Sequence, residues 1–332
     1  MPAVPAARLV AAITDAFLDS GGSGVLLSAV GQNPRKFGVT VDEQGVSLWV
    51  YVWTVTPGGR KALPHELRIQ MTGVAAPLEA NPDGPTLLLG YEPTRGVFAG
   101  FDFERHRKFT EGSPSIQVHQ DVLTDAKSQG IAFGRRGSGD IVVGVRPDML
   151  LFYADQARKL HARGGDDATI PILERVAAGE RVPRREIEKL PGPRQRLVVT
   201  VERYKRSSTF KESVLRAYDH RCAVTGAQLK LVEAAHVLPV AAPGSTDEVS
   251  NGLALSPTYH RAFDAGLFFI DDDYVTHVNE ARADELRRLE RAGGLEELAE
   301  PLGAKILLPA SRDLWPKPEY IDAANRFRRV AT

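Results

Sequence analysis

Four polar side chains in the last third of the sequence have types and spacing that could bind a cation and activate water. They are His236, Asn251, His260 and Asp264. His260 and Asp264 stand four residues apart, so on a helix they share one face. An imidazole and a carboxylate on one face can bind one divalent cation. A neutral imidazole at His236 could take a proton from water near neutral pH.

The surrounding segments predict the elements that must position these side chains. Apolar spacing favours a helix over 210–218 and a short strand over 231–237 that carries His236. A second short strand follows Asn251, and a helix over 258–265 carries His260 and Asp264. The order strand, loop, strand, helix places the possible base on a strand that should lie over the helix with the possible cation ligands.

Four sequence blocks in this region resemble the HNH endonuclease family of the ββα-metal nucleases. In the family's order and spacing, they are Cys222-Ala-Val-Thr-Gly226, Glu233-Ala-Ala-His-Val237, Asn251-Gly-Leu-Ala-Leu255 and His260-Arg-Ala-Phe-Asp-Ala-Gly266. The likeness covers residues 203–310 and is strongest to the HNH branch appended to restriction endonucleases. It implies an enzyme, an endonuclease that hydrolyses phosphodiester bonds.

The resemblance implies a role for each member of the set. His236 would be the general base that activates water, and Asn251 would brace the loop that orients it. His260 and Asp264 would bind a divalent cation, with Mg²⁺ expected first and Mn²⁺ or another transition metal as alternatives. The catalytic residues would then be His236, Asn251 and His260, and cleavage would leave 5′-phosphate and 3′-hydroxyl ends.

Two features depart from the family pattern. Many relatives place an Asp or a His directly before the base histidine, whereas this chain has Ala235. The cation would therefore have two protein ligands with water and phosphate, or Glu233 would reach in as a third. Cys222 is the only cysteine, so no structural zinc site is expected, and apolar packing must support the domain instead.

Length and composition exclude several classes of protein. The chain has 332 residues, 43% of them hydrophobic, enough for about two globular domains. Lys and Arg together equal Asp and Glu at 42 each, which excludes binding to polyanions through bulk charge. No apolar run reaches the length of a membrane helix, so we expect a soluble, cytoplasmic protein without a membrane partner.

The predicted fold is of the α+β class with two domains and a linker. Strand patterns dominate residues 1–160, which we interpret as a curved mixed β-sheet domain with flanking helices. Residues 161–208 are rich in proline and cations and are interpreted as a linker, and residues 209–332 form the HNH domain with a helical extension. Between residues 181 and 221, twelve Lys or Arg oppose five acids. This local excess predicts phosphate contacts, or alternatively a solvated linker. The cations assigned to DNA are Arg203, Lys205, Arg206, Arg221 and Arg261.

Residues 40–155 also resemble, more weakly, the DNA-reading modules of modification-dependent restriction enzymes. Trp53-Thr-Val-Thr-Pro-Gly-Gly59, Glu66-Leu-Arg-Ile-Gln70 and Gly96-Val-Phe-Ala-Gly-Phe-Asp102 carry this likeness. Some such modules have SRA-like folds that flip a modified cytosine into a pocket, which needs aromatic walls and polar groups. The residues predicted to form one are Trp53, Arg68, Gln70, Tyr91, Phe98 and Asp102. Aromatic residues that alternate along strands are also typical of an ordinary core.

The leading hypothesis is a restriction or defence endonuclease whose N-terminal domain reads double-stranded DNA, with a modified cytosine as the expected mark. One HNH centre cuts one strand, so we expect a homodimer for double-strand cleavage. Two alternatives stay open. The N-terminal domain could instead sense a small molecule, a nucleotide or a protein in a defence effector. Alternatively, the HNH centre could be inactive in a DNA-binding protein, an alternative that Ala235 keeps open.

Overall fold

The chain folds into two units, which we describe separately. A computed structural model describes residues 3–41, 44–60, 62–110, 114–163, 166–328 and 330. The N-terminal unit spans residues 1–205 and the C-terminal unit residues 206–332. Within the described part of the chain, no helix has the length and apolar character needed to cross a membrane.

The N-terminal unit combines ten strands with helices on both faces of a large sheet. Its elements are α1 (Ala6–Asp19), β1 (Ser23–Leu26), β2 (Arg35–Val41), β3 (Gln44–Thr54), β4 (Thr56–Pro57), β5 (Glu66–Gln70), β6 (Thr86–Glu92), β7 (Val97–Phe101), α2 (Phe103–His106), β8 (Ser115–His119), α3 (Gln120–Gln129), β9 (Ile131–Arg135), β10 (Ile141–Val145), α4 (Leu150–His161), α5 (Ile170–Ala177), α6 (Arg184–Ile187) and the start of α7 (Gly192–Ala217).

Seven strands form the main sheet in the order β1-β2-β3-β6-β7-β10-β9. The β3–β6 pair is parallel and the other neighbours are antiparallel, so the sheet is mixed. Strands β4, β5 and β8 form a second, antiparallel sheet. The predicted α+β class, with a mixed sheet and flanking helices, is confirmed.

Side chains on the two faces of the main sheet belong to two separate cores. Along β3, Val50 and Val52 enter one core, while Tyr51 and Trp53 enter the other. Helix α3 packs closely because Gly144 lies beneath it, where an added Cβ would meet the Val122 carbonyl oxygen at 2.5 Å. Burial on both faces explains why β10 reads as a continuous apolar run rather than an alternating one.

Residues 166–205 differ from the predicted linker because they belong to the core of the N-terminal unit. Helix α5 buries Ile170, Leu173 and Val176, and α7 buries Val198 and Val201 in the same core. The three-residue spacing of these apolar side chains indicates a helix face. Helix α7 begins at Gly192 and continues past the boundary between the units.

A buried histidine makes the stability of the N-terminal unit sensitive to acid. The hydroxyl of Tyr153 lies 2.7 Å from Nε2 of His161, and burial lowers the pKa of His161 from 6.5 to about 4. As the pH falls from 6.5 towards 4, the unfolded chain binds a proton that the folded chain excludes. The free energy of unfolding should therefore fall by about 3 kcal/mol across this window. Thermal unfolding of wild type and His161→Gln at pH 7 and pH 4.5 measures this, because the variant lacks this contribution. Equal acid sensitivity of both proteins would contradict it.

The C-terminal unit contains the second part of α7 and a set of short elements. These are β11 (Glu233–His236), β12 (Gly252–Leu255), α8 (Pro257–Asp264), β13 (Phe268–Ile270), β14 (Thr276–Val278), α9 (Glu280–Arg288), α10 (Leu295–Ala299) and α11 (Pro318–Phe327). Strands β11 and β12 pair antiparallel, and so do β13 and β14. An isolated antiparallel bridge joins Val275 and Lys305. Buried side chains from α7, the strand pairs, α8 and α11 form one core around Cys222.

Candidate active site

The β11–β12 pair and α8 position the four residues singled out in the sequence. Their antiparallel register places His236 opposite Gly252. Ala235 is fully buried in the core, so the neighbouring His236 points to the other face, where its side chain is 18% exposed. An added Cβ on Gly252 would meet Val214 of α7 at 2.3 Å, so this glycine allows α7 to lie against the strand pair.

His236 is held between an aromatic ring and a carboxylate. The ring of Phe210, on α7, stacks on the imidazole with 3.8 Å between centroids and 12° between planes. Nε2 of His236 lies 3.1 Å from Oδ1 of Asp247 and donates its proton there. This hydrogen bond leaves Nδ1 to accept a proton. Burial lowers the pKa of His236, and Asp247 opposes part of that shift. His236 is therefore neutral near pH 7, as a general base must be.

Asp247 should tune both the orientation and the basicity of His236. The HNH resemblance implies cleavage of DNA. We expect Asp247→Asn to lower the rate of that cleavage about tenfold, because the variant loses a charge-assisted hydrogen bond to His236. The acid limb of the pH–rate profile should move to lower pH, because removing the carboxylate removes an interaction that raises the pKa of His236. Steady-state rates between pH 5 and pH 8 measure both effects. A variant with the wild-type rate and profile would remove Asp247 from this role.

Asn251 is fully buried and binds the loop that follows His236. Its Oδ1 accepts a hydrogen bond from the Leu238 backbone N–H at 2.8 Å, and its Nδ2 donates to the Thr246 carbonyl at 2.8 Å and to the Ser245 hydroxyl at 3.2 Å. The Asn251 side chain thus binds both Leu238, two residues after His236, and Thr246, the residue before Asp247. The geometry is that of a brace for the loop, which is the role that the family resemblance implies for this residue.

His260 and Asp264 lie on one face of α8, together with a carboxylate from β11. Nε2 of His260 is 3.4 Å from Oδ2 of Asp264. Nδ1 donates to Oε2 of Glu233 at 2.7 Å, a contact that spans 27 residues of sequence. This hydrogen bond raises the pKa of His260 and lowers the pKa of Glu233. Glu233 thus fixes the imidazole so that Nε2, the nitrogen beside Asp264, is the one available to a cation.

The donor atoms fit a divalent cation with two protein ligands. In octahedral coordination with bonds of about 2.1 Å, neighbouring ligand atoms lie about 3 Å apart. The 3.4 Å between His260 Nε2 and Asp264 Oδ2 is close to that separation. Across the described residues, no group of three His, Cys, Asp or Glu side chains is arranged to hold an ion. The remaining coordination positions would be left to water and phosphate, as is common for Mg²⁺.

Glu233 should strengthen cation binding without being a ligand. We expect Glu233→Gln to weaken Mn²⁺ binding about tenfold, because the carboxylate that orients a ligating imidazole also raises its basicity. Calorimetric titration of Mn²⁺ into the protein without DNA measures this. Glu285→Gln, an exposed substitution on α9, is the matched control. Equal affinity in the two variants would contradict the orienting role.

The cations predicted to bind DNA lie mostly at the surface. Arg203, Arg206, Arg221 and Arg261 are exposed. Arg261 directly follows His260, whereas Arg221 pairs with Asp219 at 3.3 Å. Lys205 is half-buried and donates to the carbonyl of Gln129. These placements keep the first four residues available to a polyanion. Their role in binding DNA stays a prediction.

The six residues predicted to line a modified-base pocket are not brought together. Trp53 packs in one core of the N-terminal unit and Phe98 in the other, so the main sheet separates them. Tyr91 packs against Phe98, with 5.2 Å between ring centroids, and Asp102 caps α2. Arg68 and Gln70 lie on β5 of the second sheet. The predicted pocket was wrong because strand alternation sends these side chains to opposite faces.

A different cavity of the N-terminal unit has a mixed lining of apolar side chains, arginines and Glu66, which pairs with Arg60. Its volume is 590 Å³, and it lies beside β8 and the β9–β10 turn. Its polar lining includes Arg60, His65, Gln117, His119, Arg135 and Arg136. Arg136 is held in place by Gln117 at 3.1 Å and by Asp140 at 2.7 Å. Sequence reasoning missed this site because its residues come from three separate segments.

Comparison with known families gives two matches within the chain. Residues 222–271 match the family described as HNH endonuclease. This range includes every residue of the candidate active site described above except Phe210 and Val214 of α7. Residues 46–154 match the family described as Methylase-associated X1. The resemblance of the C-terminal unit to HNH endonucleases is thereby confirmed.

Solved and curated proteins add little to these matches. One solved structure, a "Modification dependent TagI restriction endonuclease", aligns with 83% of this chain and 80% of its own, at 14% identity and a TM-score of 0.28. At this TM-score the alignment establishes neither fold nor function. None of the curated proteins compared with the chain matches it.

Proposed function

We propose that this chain, whose residues 222–271 form an HNH endonuclease domain, is a metal-dependent DNA endonuclease of a restriction or defence system that acts on DNA carrying a modified base. The observation that carries the proposal is the geometry of the candidate active site. A neutral imidazole oriented by a carboxylate lies within electrostatic range of a histidine–aspartate pair that has the spacing of two cation ligands.

The residues divide the work of hydrolysis. Asp247 holds the Nε2 proton of His236, so Nδ1 accepts a proton from the attacking water. Phe210 fixes the plane of the ring, and Asn251 fixes the loop that carries Asp247. His260 and Asp264 would bind the cation and Glu233 would orient His260. A bound cation would supply electrostatic stabilisation of the leaving 3′-oxygen, worth several kcal/mol. The products would carry 5′-phosphate and 3′-hydroxyl ends.

The N-terminal unit is the part of the chain that would select the DNA. Its matched family is described as Methylase-associated, which is consistent with a substrate marked by methylation. Three arginines line its 590 Å³ cavity, each paired with a carboxylate, and we propose that they contact the phosphate of a bound nucleotide. We place the reading of a modified nucleotide, with modified cytosine as the first expectation, in this unit.

Plasmids that differ only in base modification test this proposal. Wild-type protein is incubated with unmodified, C5-methylated and hydroxymethylated supercoiled plasmid, with Mg²⁺ and Mn²⁺ compared. Cutting that requires the metal and prefers one modified plasmid is the expected result. Cutting only after a free nucleotide is added would favour a signal-sensing N-terminal unit, and no cutting with either metal on any plasmid would favour an inactive HNH centre.

The number of DNA strands cut in each binding event, measured on the same plasmids, tests the proposed homodimer. Because one centre cuts one strand, a monomer should accumulate nicked circles before linear DNA. A dimer should produce linear DNA directly, with a rate that depends on protein concentration. Light scattering of the protein with and without DNA gives the stoichiometry independently.

A further inference from the structure

The C-terminal helix α11 contacts the candidate active site, although it lies outside the residues that match the HNH family. The hydroxyls of Tyr320, on α11, and Thr246 lie 2.8 Å apart. The carbonyl of Thr246 is the group that Asn251 binds, and Asp247 follows it. At the start of the helix, the backbone N–H of Lys317 donates to the Ser250 carbonyl at 3.0 Å. The loop between β11 and β12 is therefore held from both sides.

Arg328 follows the last residue of α11 and joins the two halves of the site. Its Nη1 donates to the carbonyl of Val237, the residue after His236, at 2.7 Å. Its Nη2 lies 3.4 Å from Oδ1 of Asp264, and its guanidinium lies over the ring of Phe263 at 4.0 Å. One side chain thus touches both the end of the strand that carries the base and the helix that carries the cation ligands.

Burial makes these contacts costly to rearrange. The Arg328 side chain is 4% exposed, whereas Asp264 is 57% exposed. Nε of Arg328 is buried and has no hydrogen-bond partner among the described residues. A planar guanidinium with several donors in fixed positions can bind a carbonyl and a carboxylate at once, which a lysine ammonium cannot reproduce. Asn325, also on α11, anchors the helix by donating to the Ile270 carbonyl at 2.9 Å.

The charge of Arg328 also acts on the carboxylate that faces His260. Arg328 lies beside Oδ1 of Asp264, while Oδ2 is the atom beside His260. A cation bound at Oδ2 would therefore meet a fixed positive charge on the far side of the same carboxylate. Arg328 keeps Asp264 oriented but reduces the attraction of the free protein for a divalent cation.

We propose that Arg328 is a positioning residue for the nuclease reaction. It aligns the base strand with the ligand helix, and its charge weakens cation binding until DNA phosphate completes the site. The active module then extends through α11 to residue 328. This inference rests on the proposed metal-dependent nuclease function.

Two substitutions of Arg328 separate its charge from its geometry. In Arg328→Met the charge is lost, so Mn²⁺ binding without DNA should tighten about three- to tenfold. DNA cleavage should nevertheless slow about tenfold or more, because the bond to the Val237 carbonyl is lost. In Arg328→Lys the charge remains, so Mn²⁺ affinity should stay near wild type and cleavage should be partly restored. The opposite changes in binding and rate are the signature of the proposal.

Full-length protein is used throughout, with calorimetry for Mn²⁺, plasmid cleavage for the rate and thermal unfolding for folding. Arg326→Met, an exposed substitution on α11, is the control and should match wild type in all three measurements. If Arg328→Met weakens Mn²⁺ binding and lowers the melting temperature together, Arg328 only supports the fold and the proposal is overturned. Unchanged binding and rate would overturn it equally. Failure of the wild-type protein to cut any DNA would instead count against the nuclease proposal, while the calorimetric comparison would still test the charge effect.

Discussion

His236→Ala should lower the rate of metal-dependent DNA cleavage by about 10² to 10⁴, the usual contribution of a general base. The reason is that Nδ1 of His236 is the proposed proton acceptor, while Nε2, the other ring nitrogen, is bound to Asp247. Mn²⁺ binding should change little, because His236 is not one of the two proposed ligands. Single-turnover cleavage of supercoiled plasmid at saturating metal measures the rate, and Mn²⁺ calorimetry measures the binding.

A matched histidine substitution provides the control for this experiment. His220 is exposed and has a φ of 53°, a conformation that asparagine accepts readily. His220→Asn should therefore cut at the wild-type rate. If His236→Ala retained cleavage within about threefold of wild type, water would have to be activated by another group.

Much of the candidate site could be predicted from the sequence, because local spacing carries it. The four-residue separation of His260 and Asp264 places them on one helix face whatever the rest of the chain does. The apolar residues around His236 and Asn251 marked two short strands, and the structure has both. Ala235 is a fully buried core residue, so this position contributes no ligand to the site.

The residues that sequence reasoning missed act through contacts distant in sequence. Asp247 sits in a loop that is neither helix nor strand, so no periodicity marks it. Arg328 lies 64 residues beyond Asp264, directly after a helix whose sequence pattern marks only its apolar face. The sequence leaves Glu233 open as a third ligand, whereas in the structure its carboxylate accepts a hydrogen bond from Nδ1 of His260. The spacing of residues along the chain predicts which face of a helix or strand a side chain lies on. Only the folded structure shows which residues distant in sequence contact that side chain.

The same limit explains why the predicted base pocket and the predicted linker differ from the structure of the N-terminal unit. Aromatic residues along the strands favour a pocket on composition alone. Side chains alternate along Val97–Phe101, however, so Phe98 enters one core while Val97 and Ala99 enter the other. In 166–205, prolines and cations are typical of a linker, whereas the structure buries Ile170, Leu173 and Val176 in the core. Local composition does not show which distant residues cover a short helix.

His260→Ala should have an effect on cleavage as large as that of His236→Ala, for a different reason. Loss of the imidazole leaves Asp264 as the one proposed ligand, so Mn²⁺ affinity should fall by about 10² or more and cleavage at moderate metal concentration by about 10³. Asp264→Asn should lower both by less, because an amide oxygen can still coordinate weakly. Since the two residues are proposed to hold the same ion, the His260→Ala/Asp264→Asn double variant should cut no more slowly than His260→Ala alone.

Metal concentration separates loss of a cation ligand from loss of the base. Raising Mn²⁺ should restore part of the activity of Asp264→Asn, because the site still forms when the ion is abundant. The same increase should leave His236→Ala unchanged, since its defect lies in proton transfer after the site is filled. Titration of cleavage rate against Mn²⁺ for both variants shows the difference. If His260→Ala and the double variant kept metal-dependent cutting at the wild-type rate, the ion would have to bind elsewhere. Hydrolysis could then not depend on a base on β11 acting beside a cation on α8.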